Sequence, residues 1–310
     1  ANTAGRISPI NSSNITKIVV SEGITHIGQF AFHCLSGYVD VQLPSTLKTI
    51  GSYAFSPLTI SELYLPKGLE TIQEHAFTNV WYVEIPASVT SIGNEAFDED
   101  TNLYFAGSRE EWDNISQSEY SHVFFNQSIP TIDVAGFGET VVDYGYVGKN
   151  GNIWALTQSG ILKIRGSGDI VYTKYASSAA HHMPWRGLIE NILGVFVEEG
   201  ITCVPDYAFS GCSNLTQVTL PDGVTVIGKG AFGNCISLTT IHIPSSVTEL
   251  RDSAFSGCSS LEEVELPIGL KTSGNKDFKN CTILTIKNGI IPDGTETIGD
   301  NAFGGSGINS

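Results

Sequence analysis

Short runs along the chain alternate apolar and polar residues and stop at proline. LTTIHIP (238–244), LEEVELP (261–267), LTQVTLP (215–221) and ISELYLP (60–66) share this form. Ile241 and Ile243, or Val264 and Leu266, fall on one side, and Thr240 and His242, or Glu263 and Glu265, on the other. A two-residue period predicts a strand with one buried face. Proline closes it because it cannot donate to a continuing ladder. Each strand is followed by an apolar residue, two variable places, a second apolar residue and, after three more residues, Ala-Phe. Examples are GITHIGQFAF (23–32), TLKTIGSYAF (46–55), GLETIQEHAF (68–77), SVTSIGNEAF (88–97) and GITCVPDYAFSGC (200–212). The Ala-Phe segment is predicted as a turn of α- or 3₁₀-helix.

The phenylalanines measure the period. Phe32, Phe55, Phe77 and Phe97 form one group, and Phe209, Phe232, Phe255, Phe278 and Phe303 a second, at spacings of 20 to 25 residues. A unit this short cannot bury its own apolar face, so nine units predict stacking into a solenoid. The expected fold is an α/β repeat, a right-handed solenoid with a parallel β-sheet face and short helical turns. The segment NITKIVVSEGIT (14–25) returns as NILGVFVEEGIT (191–202), so an array starts twice. The expected organisation is a tail at 1–13, a first array at 14–105, a capping helix and small β module at 106–190, a second array at 191–303 and a tail at 304–310. Ser108 and Glu111 predict a capping box for the helix. Asp277 takes an Ala place in GNKDF (274–278), and about two extra residues precede the last unit, so strain or a bulge is expected near 274–291.

The frame L-x-x-I-x-I-P-x-x-V-x-x-I-G-x-x-A-F-x-x-C, nearly complete in 215–237 and 238–260, resembles the leucine-rich repeat of BspA-like and treponemal surface proteins. The resemblance covers about 15–105 and 192–303. LYFAGSREEWDNI (103–115) is similar to the tail that closes such arrays, and GNIWALTQSGILKIRGSGDI (151–170) with Pro184-Trp185 to the module that opens one. The resemblance implies a leucine-rich repeat protein at the surface of a host-associated bacterium, or secreted from it, that binds or adheres. It supplies no catalytic residues and no cofactor.

GVTVIGKGAFGNC (223–235) contains Gly228-x-Gly230-x-x-Gly233, the dinucleotide fingerprint. A phosphate cradle needs glycine at fixed places so that backbone amides can approach the anion. Here Gly228 becomes Pro205 or Arg251 in other units, and Gly230 becomes Tyr207 or Ser253, so the stretch reads as repeat packing. Cys212, Cys235, Cys258 and Cys281 recur every 23 residues, with Cys34 a displaced counterpart. Rungs about 4.8 Å apart place them in a row with parallel side chains. This favours buried free thiols over disulfides or a metal. His181-His182 is the only histidine cluster, and no third ligand stands at a metal spacing from it.

The net charge is −16, from 32 acidic and 16 basic residues. Phosphate backbones are repelled by such a surface, which argues against nucleic acid. No apolar run is long enough to span a membrane. The opening residues ANTAGRISPI have neither a basic start nor an apolar core, as expected of a trimmed or processed chain.

A ligand is expected on the sheet face, at outward strand places. In the first array these include Val19, Asp40, Gln42, Glu62, Tyr64, Trp81, Tyr82 and Glu84. In the second they include Phe196, Gln217, Thr219, Thr240, His242, Glu263 and Glu265. Tyr64, Trp81, Tyr82, Glu84, Phe196, His242, Glu263 and Glu265 are the candidate binding residues, since aromatics beside acids suit a protein or sugar contact. The competing reading packs the aromatics against the 106–190 insert. The expected function is non-enzymatic adhesion of a monomer to a host or matrix protein. A glycan-binding module and a structural spacer are the alternatives.

If the glycines serve packing, millimolar ATP or NAD leaves the melting temperature unchanged. A true site occupied at a hundred times its Kd would add about 2.7 kcal/mol, and a rise of several degrees would contradict this reading.

Overall fold

The computed structural model describes residues 15–170 and 183–308, apart from 34, 36, 100, 116, 117, 119, 121, 148 and 149. His181, His182 and Cys34 lie outside the described residues. The chain divides into two compact units, Ala1–Pro130 and Thr131–Ser310.

In both units the alternating runs form parallel strands in register. In the first, Gly37–Tyr38, Leu58–Tyr64, Val80–Ile85, Asn102–Phe105 and His122–Phe125 make one five-stranded sheet. In the second, Gly194–Val197 pairs with Gln217–Thr219, and Thr240–Ile241, Glu263–Val264 and Thr285–Ile286 continue as a three-stranded ladder. A second row of strands, mostly two residues long, was not foreseen. His26–Ile27, Thr49–Ile50, Thr71–Ile72 and Ser91–Ile92 pair in the first unit. In the second, Gly168–Asp169, Ile201–Val204, Val226–Ile227, Glu249–Leu250, Thr272–Ser273 and Thr297–Ile298 do the same. These are the V-x-x-I places of the frame, where the second residue of the pair is buried and the one before it is not, as at Ile27, Ile50, Ile72, Ile92, Ile227 and Leu250; Val204 and Ser273 take the same buried place, and in the last pair Ile298 is exposed. The architecture is a parallel-sheet solenoid with few helices.

The Ala-Phe segments are turns closed by the three-residue hydrogen bonds of the expected 3₁₀ type, such as Ala31 N to Gly28 O and Ser210 N to Tyr207 O, but they do not continue into a helix. The residue two places before each Phe holds a left-handed φ, as at Phe30 (58°), Tyr53 (56°), His75 (52°), Tyr207 (58°) and Ser253 (63°). That conformation breaks a helix. It also aims the N–H along the stack, so that Phe30 donates to Ser52 O, Tyr53 to Glu74 O and Ser253 to Asn275 O. The fingerprint glycines spend their amides in the same way: Gly228 donates to Val204 O, Gly230 to Asp252 O and Gly233 to Gly230 O. None of the three N–H groups is left to face an anion.

The phenylalanines form the core column. Neighbouring rings stack at 4.9, 5.0 and 5.5 Å from Phe32 to Phe97, and at 5.2 to 5.4 Å from Phe209 to Phe303. Tyr120 meets Phe97 edge-on and Trp185 stacks on Phe209, each extending a column by one rung. Trp185 is wholly buried and donates its indole N–H to Ala208 O. Cys212, Cys235, Cys258 and Cys281 are free thiols buried beside this column. Cys235, Cys258 and Cys281 donate to the carbonyls of Phe209, Phe232 and Phe255. Burial pushes the Cys212 thiol up to about 12.

Segment 141–165 is a meander of three strands, Val141–Tyr146, Ile153–Thr157 and Ile161–Arg165, whose last member pairs in parallel with Gly194–Val197. It thereby occupies the edge of the second unit's long-strand sheet. Arg165 clasps Glu198 through two hydrogen bonds and lies over the Phe137 ring at 4.4 Å. In the first unit, Ser108 N donates to the Glu111 carboxylate and Glu111 N to Ser108 Oγ, which caps the helix Arg109–Ile115.

The stack is regular where a bulge was expected. Phe255, Phe278 and Phe303 stay parallel within 5°, and the strand pairs across 263–298 keep register. The extra residues are taken up by the 3₁₀ turn Lys287–Gly289, with Asn288 left-handed. Asp277 is fully buried in the Ala column, and Ser273, in a column of Ile and Leu, donates to it at 2.9 Å. Burial pushes this carboxyl up to about 7. Hydrogen bonds from Ser273 and from the Ala254 and Gly274 amides pull it down, and Asp252 adds to the rise.

The folded chain therefore keeps a proton that the unfolded chain releases near pH 4. Its stabilisation is complete below that value and is lost as pH rises through about 7, at about 1.4 kcal/mol per pH unit between the two. Thermal melts of the parent and Asp277→Asn from pH 5 to 8 should show the parent losing stability relative to the variant. Parallel curves would exclude a buried, protonated Asp277.

Candidate functional site

Tyr64 and Glu84 are neighbours in strand register, and Glu84 is in turn opposite Tyr104. Tyr64 is 55% exposed, and its hydroxyl donates to the Glu62 carboxylate at 2.9 Å. The two residues line a cleft of about 550 Å³ with Leu65, Pro66, Lys67, Pro86, Ala87, Ser88 and Ala106. The prolines that end successive strands make its apolar wall, and Lys67 and Glu84 place opposite charges on it. Beyond Glu84, Tyr104 stacks on Phe124 at 4.8 Å. Tyr104 is nearly buried, and burial raises its phenol above the ordinary range.

Trp81 is not displayed. It is wholly buried and meets Tyr38 at 6.4 Å, but it stands outside the main core, which takes Val80, Val83 and Ile85 from this strand, so strict alternation is broken between 80 and 83. Tyr82 has the outward parity, but it is flanked by Glu62 and Asn102 on the adjoining strands and is only 4% exposed. Neither residue offers the ring surface that the sequence suggested.

In the second unit, Phe196 lies between Lys163 and Thr219 on adjacent strands and is 40% exposed. Glu263 is paired with Thr240 and Thr285. Glu265 accepts from Lys287 at 2.7 Å, which holds its carboxyl below the usual range, and His242 contributes in the same direction. The Lys287 partner offsets much of the acidic character expected there.

The sequence reading missed Pro66, Lys67, Pro86, Ala106 and Tyr104. The prolines were visible as strand ends. Tyr104 would have followed from running the frame one unit further, into NLYF (102–105). Among the described residues, no group of three or more His, Cys, Asp or Glu could hold a metal ion. No helix among them is long and apolar enough to cross a membrane.

Stacked parallel rungs around a Phe column define a leucine-rich repeat solenoid, and the cleft lies where its strands end. A family model described as the BspA type leucine rich repeat region matches residues 10–129 and 190–309 in six copies, and the chain belongs to that family. Among solved structures, a leucine-rich repeat protein from Bacteroides ovatus is 22% identical, covering 88% of this chain and 73% of that one, with a TM-score of 0.39. A leucine rich cell surface protein from Faecalibacterium prausnitzii is 19% identical, with coverages of 87% and 78% and a TM-score of 0.36. The leucine rich repeat protein of T. pallidum is 22% identical, with coverages of 45% and 79% and a TM-score of 0.27. A search of curated proteins gives no match.

Trp81→Ala should cost about 3–5 kcal/mol as truncation of a wholly buried ring, whereas Tyr64→Ala should stay within about 0.5 kcal/mol of the parent. Chemical denaturation of both variants checks this, and equal losses would contradict the difference in burial between the two rings.

Proposed function

We propose that the chain is a non-enzymatic binding protein of a bacterial surface, engaging a host or matrix protein through the strand face of its first array. The cleft holding Tyr64 and Glu84 carries this reading. An exposed tyrosine on an apolar wall, with one acid and one lysine at its margin, is the composition of a protein-binding hot spot. The placement at a surface rests on membership of the BspA-type family. The excess of acidic residues steers partners that are basic where they dock.

A glycan platform is less well supported. It requires several displayed rings, and of Tyr64, Trp81 and Tyr82 only Tyr64 is displayed. Phe196 and the His242–Glu265–Lys287 row of the second array form a lesser surface, since the acid there already has its cation.

The test is binding of the purified chain to immobilised extracellular-matrix proteins and to a glycan panel, beside Tyr64→Ala/Glu84→Ala. Affinity for a matrix protein should fall about 10- to 30-fold in the double variant, the scale of losing one hot spot. Binding to glycans alone, or to nothing from a folded sample, would contradict the proposal.

A further inference from the structure

The turns of the first array carry a second feature, formed by residues that do not line the cleft. Phe30, Tyr53 and His75 occupy the left-handed place in three successive rungs, with Glu95 in the fourth. Phe30 stacks on Tyr53 at 5.1 Å, Tyr53 on His75 at 4.8 Å, and His75 Nδ1 lies 3.5 Å from the Glu95 carboxylate. Phe30 ends the stack, meets the His33 ring edge-on at 5.2 Å and is still 47% exposed.

The fold does not require rings there. In the second array the same place holds Tyr207, Gly230, Ser253, Lys276 and Asn301, at φ between 54° and 63°. A bulky side chain in this region of φ is uncommon and strained, and Gly or Asn adopts it readily. Three rings in a row therefore sit where smaller residues fold as well.

The surrounding charge has one sign. Residues 28–34, 51–57, 73–79 and 93–99 contain no Lys or Arg, while Glu74, Glu95 and Glu99 are exposed. The corresponding turns of the second array hold Lys229, Arg251, Lys276 and Lys279.

We infer that the Phe30–Tyr53–His75–Glu95 ladder is a docking surface for an extended, arginine-bearing segment of a partner protein. One guanidinium stacks on the Phe30 end, as Arg does on exposed aromatic faces. A second cation meets Glu95 and Glu74. Three rungs separate the two ends, about 15 Å, which an extended chain spans in four or five residues.

The probe is a six-residue Gly/Ser peptide with arginine at its first and last positions, titrated by NMR into the folded chain at low salt. The variant is Phe30→Asn/Tyr53→Gly/His75→Ser, which installs residue types of the kind the second array carries at this place. The parent should bind, the triple variant should lose at least tenfold in affinity without a lower melting temperature, and Tyr64→Ala/Glu84→Ala should bind as the parent does. A glutamate-for-arginine peptide should not bind, and added salt should weaken the arginine peptide. Equal affinity in parent and triple variant would overturn the inference. So would no binding to the parent, or a melting temperature several degrees lower in the variant with affinity retained, which would make the ladder a structural stack only.

Discussion

One backbone hydrogen bond recurs at seven of the junctions between rungs: the N–H of each column phenylalanine donates to the carbonyl of the residue before the next phenylalanine. Phe32 donates to Ala54, Phe55 to Ala76, Phe77 to Ala96, Phe209 to Ala231 and Phe232 to Ala254, at 2.8 to 2.9 Å. The bond and the stacked rings enforce each other. A small residue at the accepting place lets the rings approach to about 5 Å, and that approach brings donor and acceptor into reach. Because the acceptor is a main-chain carbonyl, Phe255 donates to Asp277 as well as to any alanine. The chain thus tolerates a carboxyl in its core, provided Ser273 stands beside it.

The left-handed residue two places before each phenylalanine is the second half of the same device. It turns an N–H toward the next rung, and its side chain is thrown out of the core. The core column is consequently invariant in type, whereas the left-handed place ranges from glycine to phenylalanine. That freedom is what allows one array to carry rings on its turns and the other lysine. The strand face is governed by parity in the same way. Outward places such as Tyr64, Glu84 and Glu265 are free to vary, and inward ones such as Val83 and Ile85 belong to packing whatever their chemistry.

Much of the fold was legible because the core repeats: Phe, Ala, Cys and Leu at fixed intervals announce columns. The two-residue strands were not, because a pair such as Thr49–Ile50 is too short to show alternation. The turns were legible as tight turns, but the left-handed residue that interrupts each was not, because that φ has no residue signature when a hydrogen bond to the next rung compensates it. Tyr64 and Glu84 were legible as outward places, but the cleft they share depends on Pro66, Pro86 and Ala106, which come together only when three rungs are stacked. Trp81 was taken for a displayed ring because the sequence does not announce that this strand departs from alternation between Val80 and Val83, where Trp81 is buried outside the main core. The partnership of Ser273 with Asp277 was hidden because each departs from the frame alone, and only together do they satisfy a buried carboxyl.

The most direct test of this account is native-state hydrogen exchange resolved at single amides. The Phe55, Phe77, Phe232 and Phe255 amides should be among the slowest in the chain, exchanging only when neighbouring rungs separate. The solvent-side turn amides of Gln29 and Glu74 should exchange orders of magnitude faster. Phenylalanine amides that exchange as fast as those turn positions would contradict the claim that this bond and its ring column hold the rungs together.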